Sequence, residues 1–249
     1  MAKAYVKSNT EGGIATITFF TPTHNSMPTA ILQALEKSIH SASADSAVRV
    51  IVLQSAGDRT FCAGASFEEL KAISDEESGK HFFNGFAGVI NAMRTCKKLI
   101  IGRVQGKAVG GGVGLAAATD YCFATQYAAI KLSEFTIGIG PFVIAPAVKR
   151  KMGVAALSEL TINATAFYPA TWAHTKGLYA EVFDTAEDMD LAVTALATKL
   201  ASYNPEALKA MKRVFWEDAT HWKNVLSERA ATSGTLVLST FTKERLKDI

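Results

Sequence analysis

The feature that most constrains this chain is the stretch 104–124, where an apolar segment meets three consecutive glycines and then continues apolar at helical spacing. Glycine loses more conformational freedom on folding than any other residue, so three in a row favour a site of unusual φ or of close approach by another molecule. We predict a buried strand ending at 104, a glycine turn, and a helix that starts at Gly111 or Gly112. Such a helix directs free N–H groups and the positive end of its dipole at whatever precedes it.

A second glycine turn lies earlier in the chain. Residues 61–70, FCAGASFEEL, again place small residues between a predicted strand and a helix. Each turn can offer a backbone N–H, one at Ala65 and one at Gly111. Two such donors aimed at one point form an oxyanion hole, which stabilises the enolate-like oxygen of a reacting thioester. Taken singly, each turn is better explained by close packing of a strand on a helix.

The composition and charge of the chain indicate a globular protein and do not indicate nucleic-acid binding. The chain has 249 residues, 49% of them hydrophobic and 20% charged, which is typical of one large globular domain, with or without a small appendage. The net charge of +3 is spread without a basic run, so nucleic acid is not indicated. Three cysteines and five scattered histidines lack metal-ligand spacing, so we expect buried reduced thiols and no metal. With no apolar signal segment, we expect a cytoplasmic protein that does not span a membrane.

Hydrophobic periodicity divides the chain into two regions. Strands alternate with helices up to about residue 184, whereas only helical spacing follows. We therefore predict a strand-rich body over 1–184, which holds the active site, and a helical region over 185–249. The predicted strands are 4–7, 14–20, 48–53, 121–124, 129–132 and 179–183, and the later helices are 191–200, 205–215 and 222–238, followed by a polar tail at 241–249.

Taken together, the two glycine turns resemble the paired signatures of the enoyl-CoA hydratase/isomerase family, also called the crotonase family. The matching segments are FCAGASFEEL and VQGKAVGGGVGLAAATD, supported by ITFFTPTHNSM, VRVIVLQSAG and LSEFTIGIG. The resemblance implies an α/β fold of stacked ββα units, whose helical end packs subunits into homotrimers or hexamers. It also implies an acyl-CoA thioester substrate, with coenzyme A as part of the substrate and no separate cofactor. The resemblance further implies that the backbone N–H groups of Ala65 and Gly111 are the oxyanion donors.

Glu134 is the candidate acid/base. A carboxylate after a short strand and before a glycine-bearing loop can face a pocket, although the same position also suits an exposed glutamate. The segment SEF at 133–135 matches the place where many hydratases of the family carry a catalytic glutamate. Those hydratases usually have a second glutamate three residues after the oxyanion glycine, and here that residue is Gly114.

Without the second glutamate, the residues alone do not decide between hydration and isomerisation. Two carboxylates normally hold the water that adds to a 2-enoyl thioester, whereas moving a double bond from C3 to C2 needs only one base. The segments VQG, GGxxGL, LSE and GIGPFVIAPAVKRKMG resemble a bacterial branch of methylglutaconyl-CoA-type hydratases, which also tends to lack that glutamate. We therefore prefer an enoyl-CoA hydratase over an isomerase. A non-catalytic acyl-CoA binder is a third hypothesis, motivated by Gly114 and by Ser66, which stands where the family often has Asp.

Further residues are expected to contact substrate or to support the fold. We expect Asp120 to bond the backbone rather than to react. One of Glu68 and Glu69 is expected to face the acyl group, and the other to face solvent. Lys243 is a candidate for the phosphates of coenzyme A, because FTKERL resembles the family's terminal segment; a solvated basic tail is the alternative. The remaining expected substrate contacts are Ala63, Ser66, Phe67, Gly112 and Gly114.

Overall fold

The protein is described by a computed structural model covering residues 3–247. Its strands are β1 (Tyr5–Glu11), β2 (Ile14–Phe20), β3 (Val50–Ser55), β4 (Thr60–Cys62), β5 (Leu99–Val104), β6 (Lys107–Val109), β7 (Tyr121–Thr125), β8 (Ile130–Lys131) and β9 (Glu181–Phe183). The larger sheet has the order β1-β2-β3-β5-β7-β9, parallel except for the β1-β2 hairpin. The smaller sheet has three parallel strands in the order β4-β6-β8.

The helices follow these strands in a repeated pattern. They are α1 (Thr29–Ala44), α2 (Phe67–Lys71), α3 (Glu76–Thr95), α4 (Gly111–Ala117), α5 (Ala145–Ile162), α6 (Ala170–Thr175), α7 (Ala186–Ser202), α8 (Pro205–Phe215), α9 (Trp222–Val237) and α10 (Thr240–Lys247). Successive units β3-β4-α2, β5-β6-α4 and β7-β8-α5 each give one strand to each sheet before their helix. This is the stacked ββα arrangement that the sequence predicts.

The helices after residue 184 share the core of the strand-rich body. Met189 and Val193 of α7 pack with Val52, Ile101 and their neighbours on one face of the larger sheet, and the main core lies on the other face. Burial of these aliphatic side chains from two regions in one cluster joins the regions by the hydrophobic effect. The division at 184, and the helical region's part in oligomerisation, stay predictions.

Helices α3 and α9 cross at backbone contact distance. A Cβ on Gly79 would lie 2.8 Å from Cα of Gly234, so neither position admits a side chain without moving a helix. Helix α3 starts at Glu76, earlier than its apolar face indicates. The Asp75 carboxylate accepts the Ser78 N–H at 2.8 Å, and the Ser78 hydroxyl accepts the Asp75 N–H at 3.2 Å, which is a capping box.

The predicted polar tail at 241–249 is wrong over the residues that the structure describes. Residues 240–247 form α10, while 248 and 249 lie outside the described residues. Thr242 and Leu246 are buried, and Leu246 packs with Ile137 and Val237. Helix formation follows from this tertiary contact, because eight residues are too few for a stable helix in water.

Gly153 lies inside α5 with the non-helical φ +80°, so a kink separates the two helical segments on either side of it. A positive φ is adopted at low cost by glycine, which explains why this residue marks the break.

Candidate active site

The strands of the smaller sheet end side by side, and each is followed by a residue that the sequence analysis selected. Ala65 follows β4, Gly111 follows β6 and Glu134 follows β8. Because the carboxyl ends of neighbouring parallel strands lie at one edge of a sheet, the three residues meet outside that edge. Gly111, which follows the central strand, lies between the other two.

The backbone N–H groups of Ala65 and Gly111 are close together and unpaired. Gly64 has φ +91°, and a Cβ there would lie 3.7 Å from the Gly111 nitrogen, so the two turns are in contact. Gly111 is the first residue of α4, as predicted, and the first N–H groups of a helix lack intrahelical acceptors. Within residues 3–247, neither N–H donates a hydrogen bond. The two glycine turns therefore hold two backbone donors that lack acceptors within residues 3–247, at the same edge of the smaller sheet.

The three turns border an apolar cavity of about 90 Å³. Its wall includes phenylalanines from α2, α3 and the loop before α5, and aliphatic side chains from the segment 137–144. Among the lining residues of the described chain, Glu134 is the only titratable group, and the remaining polar side chains are the hydroxyls of Ser133 and Ser233. The phenylalanines are Phe67, Phe82, Phe83, Phe86 and Phe142.

The Glu134 carboxylate lies directly above the glycine turn. Gly110 has φ +52°, and a Cβ there would lie 2.9 Å from Oε1 of Glu134. Oε2 is buried and has no hydrogen-bond partner within the described residues. Burial raises the pKa of Glu134 from 4.5 to about 7, opposed by a hydrogen bond from its own backbone N–H. A carboxyl with a pKa near neutrality can both accept and donate a proton at physiological pH.

Gly114 faces a filled space rather than the cavity. A Cβ on Gly114 would collide with Cγ2 of Ile144 and lie 2.7 Å from its Cβ. Ile144 itself lines the cavity. The position at which related hydratases carry a second glutamate is therefore closed by an isoleucine, and a longer side chain there would require Ile144 to move.

The structure separates the remaining predicted contacts into two groups. Ala63 and Phe67 line the cavity with Ala65, Gly111 and Glu134. Gly112 packs under the first turn, since a Cβ there would lie 2.8 Å from Cβ of Cys62. The residues of the predicted set that do not line the cavity are Ser66, Gly112, Gly114 and Lys243.

Ser66 and the two glutamates of α2 have local structural contacts. Ser66 is the N-cap of α2, and its hydroxyl accepts the Glu69 N–H at 3.3 Å. The Glu69 carboxylate accepts from the N–H and the hydroxyl of Thr29, at 2.8 and 2.6 Å. Glu68 is exposed. The prediction that one of these glutamates faces the acyl group is wrong, because Glu69 joins α2 to α1 instead.

Asp120, just after α4, is buried and fully partnered. Its carboxylate accepts the Ile100 N–H at 2.7 Å, the Lys212 ammonium at 2.6 Å and the Trp216 indole N–H at 2.9 Å. The Lys151 ammonium donates to the backbone oxygens of Thr119 and Asp120. The expectation that Asp120 bonds the backbone rather than reacts is thus supported by its contacts.

The cysteines are buried thiols, as expected. Burial raises the pKa of Cys62 to about 12 and that of Cys122 to about 11, so both stay protonated. Across residues 3–247, no cluster of histidine, cysteine and acidic residues could hold a metal ion. In the same range, no helix has the length and apolarity needed to cross a membrane.

Sequence reasoning missed several residues of the cavity wall, Ser233 and Ile144 among them. Ser233 of α9 and Ile144 both line the cavity, and both come from segments that reach it only through tertiary packing. The small pair Ser233-Gly234 was the available signal, since consecutive small residues inside a helix favour close helix crossing. Three phenylalanines on the apolar face of α3, Phe82, Phe83 and Phe86, also line the cavity.

Comparisons with known proteins agree with this geometry. The model of the family described as enoyl-CoA hydratase/isomerase matches residues 9–248. The peroxisomal Delta(3,5)-Delta(2,4)-dienoyl-CoA isomerase of Arabidopsis thaliana is 26% identical over 84% of this chain and 79% of its own length. The mitochondrial methylglutaconyl-CoA hydratase of Rattus norvegicus is 28% identical over 76% of this chain and 59% of its own.

A solved structure shows the same fold at lower identity. The crystal structure of enoyl-CoA hydratase from Bacillus halodurans superposes with a TM-score of 0.91, covering 98% of this chain and 100% of that one at 19% identity. The stacked ββα fold predicted from the glycine turns is confirmed, and the chain belongs to the enoyl-CoA hydratase/isomerase family.

Proposed function

We propose that this protein hydrates a short 2-enoyl-CoA thioester through an enolate held by the N–H groups of Ala65 and Gly111, with Glu134 as acid and base. One observation carries the proposal: two unpaired backbone donors border the same cavity as a buried carboxylate whose Oε2 has no partner among residues 3–247. Unpaired donors and an unpaired acceptor are destabilising in an apolar cavity, and a thioester oxygen and a transferable proton would satisfy them.

Each group has a defined part in the reaction. The thioester oxygen accepts hydrogen bonds from Ala65 and Gly111. Ionised Glu134 takes a proton from water while the water oxygen bonds to C3, and the C2=C3 electrons move toward the thioester to form the enolate. Glu134 then returns the proton to C2, so that the elements of water are added and the carboxylate is regenerated. A pKa of about 7 suits both steps.

Hydration also needs a site for water. The Ser133 hydroxyl borders the cavity next to Glu134 and has no side-chain hydrogen bond within residues 3–247, so it is available as a second partner for that water. Relatives named as hydratases support this preference.

Isomerisation of a 3-enoyl to a 2-enoyl thioester is the second candidate. The specific observation in its favour is Ile144, which closes the position of a second carboxylate at Gly114. A double-bond shift requires Glu134 to take a proton from C2 and return it at C4, with the same enolate oxygen stabilised. The Arabidopsis relative carries the name of an isomerase.

The two reactions are distinguished by turnover of crotonyl-CoA and 3-butenoyl-CoA. Hydration removes the conjugated thioester absorbance of crotonyl-CoA, whereas isomerisation of 3-butenoyl-CoA creates it. We expect loss of crotonyl-CoA absorbance with wild-type protein and none with Glu134→Gln, while the control Glu68→Gln, an exposed glutamate, stays active. If only 3-butenoyl-CoA is converted, the isomerase hypothesis replaces the hydratase hypothesis. Binding of both thioesters in calorimetry without turnover would leave the non-catalytic hypothesis.

The cavity also restricts the acyl group. Its volume of about 90 Å³ favours a short acyl group. Lys243 does not border the cavity. Its contact with the phosphates of coenzyme A, and assembly into trimers or hexamers, stay predictions.

A further inference from the structure

Ser233 is an almost fully buried residue that borders the acyl cavity. It is 1% exposed, lines the acyl cavity from α9, and its side chain makes no hydrogen bond within the described residues. Serines and threonines inside helices commonly bond the carbonyl one turn earlier, and Thr232 does so to Glu228 at 3.2 Å. The Ser233 hydroxyl makes no such bond within residues 3–247, and the residue lines the cavity.

Helix packing explains the size of this residue but not its hydroxyl. The neighbouring Gly234 contacts Gly79 where α9 crosses α3, so small residues are required at this crossing. Alanine would meet that requirement without burying an unpaired polar group, which is destabilising. The hydroxyl therefore calls for a partner that the described chain does not supply.

Its position along α3 places Ser233 away from the thioester end of the cavity. The crossing beside Ser233 is at Gly79, whereas Gly111 packs against the ring of Phe86. These two positions of α3 are about two turns, roughly 10 Å, apart along the helix axis. The oxyanion hole and Ser233 thus lie at different levels of one cavity, and Ser233 is near the distal end of an acyl group bound to Gly111.

We propose that Ser233 is a specificity residue that hydrogen-bonds an oxygen atom at the distal end of the acyl group. This inference rests on the proposed function, because it assumes an acyl-CoA thioester in the cavity. The distal oxygen is a hydroxyl or a carboxyl oxygen. No lysine or arginine lines the described cavity, so an uncharged oxygen is preferred over a carboxylate.

The test compares acyl groups of equal size. In 5-hydroxy-2-pentenoyl-CoA a terminal hydroxyl replaces the terminal methyl of 2-hexenoyl-CoA, and glutaconyl-CoA supplies the carboxylate. We expect wild-type protein to favour the hydroxyl substrate over its methyl isostere by about tenfold in kcat/KM, the effect of one hydrogen bond. Ser233→Ala should reduce that preference to about one, as measured by the ratio of the two kcat/KM values within each variant. The control Thr232→Ala removes an exposed hydroxyl from the same helix and should keep the preference.

The outcomes separate this inference from the proposed function. A ratio that Ser233→Ala leaves unchanged, for both the hydroxyl and the carboxylate substrate, overturns the assignment of Ser233. If no enoyl thioester is converted, the proposed reaction fails, and calorimetry with the saturated pair 5-hydroxypentanoyl-CoA and hexanoyl-CoA still tests Ser233. A wild-type preference for glutaconyl-CoA alone that Ser233→Ala abolishes identifies the carboxyl as the oxygen that Ser233 binds. Thermal unfolding of each variant shows whether it is folded.

Discussion

The two ends of α4 hold two buried carboxylates with opposite surroundings. Glu134, above the N-terminal turn, has an oxygen without any partner in residues 3–247, and its pKa is raised to about 7. Asp120, beyond the C-terminal end, accepts three hydrogen bonds, one of them from buried Lys212. Burying either carboxylate costs free energy. Within residues 3–247, hydrogen bonds and a cation offset this cost for Asp120 but not for Oε2 of Glu134.

The difference assigns the two carboxylates to different tasks. A satisfied buried charge holds its neighbours in place, so Asp120 ties β5, α4 and α8 together. Oε2 of Glu134 has no such partner within residues 3–247, which supports the proposed part of Glu134 in proton transfer. Substitutions at each end of α4 should therefore affect activity and stability in opposite ways.

Replacing Glu134 should produce the largest effect, and it should fall on activity. We expect Glu134→Gln to lower kcat by about 10²–10⁴-fold, the usual contribution of a general acid or base. The measurement is turnover of whichever enoyl thioester the wild-type protein converts. A loss below tenfold in a folded variant would show that Glu134 is not the proton carrier.

Replacing Asp120 should instead affect stability. Asp120→Ala leaves the buried Lys212 ammonium unpaired, and we expect a loss of about 3–5 kcal/mol in the free energy of unfolding. Asp190→Ala is the matched control, because it breaks the pair with Arg103 in which Asp190 is half exposed, and such pairs contribute about 1 kcal/mol or less. Denaturant titration of both variants checks this, and equal losses would contradict the contrast.

The stability of Glu134→Gln should depend on pH. Because folding raises the pKa of Glu134 from 4.5 to about 7, its stabilising contribution is complete below pH 4.5 and is lost as pH rises through 7. At pH 8 the wild-type protein buries an ionised carboxylate and the variant does not. We expect the variant to be more stable by about 1–3 kcal/mol there, and nearly equal in stability near pH 4. Denaturant titrations at the two pH values make the comparison, and a gain that is the same at both would contradict the raised pKa.

The smallest predicted effect is on the pH profile of the reaction. If ionised Glu134 starts the reaction, kcat/KM should fall by about tenfold per pH unit well below pH 7 and level off above it. A conservative variant at the other end of α4, Asp120→Asn, should keep this profile at whatever activity it retains. A rate that stays flat through pH 7 would remove Glu134 as the base.

The sequence predicts the three turns that carry the candidate site residues better than it predicts the side chains that line the cavity. Gly111, Ala65 and Glu134 are recognisable because a glycine turn between a strand and a helix is a local pattern with a local cause. Their neighbourhood follows once the three strands are parallel in one sheet. Their chemical parts remain predictions that the proposed substitutions test.

Residues that reach the site through tertiary contact are hidden from local patterns. Ser233 lines the cavity only because α9 crosses α3 at Gly79, and Leu246 helps to fold a segment whose own composition predicts a polar tail. Likewise, Gly114 shows in the sequence that a carboxylate is missing. Only the structure shows that Ile144 occupies the space.

The smaller sheet has a consequence for how such sites diverge. Neighbouring strands in any sheet lie about 4.8 Å apart, and this spacing is set by backbone hydrogen bonds rather than by side chains. Ala65, Gly111 and Glu134 follow three adjacent strands. The main chain therefore sets the spacing of the strand ends that carry the two donors and the base. Many side chains can change without altering the spacing of the strands, which agrees with a shared fold at 19% identity. A one-residue insertion between β8 and Glu134 should be far more damaging than many substitutions in the acyl wall.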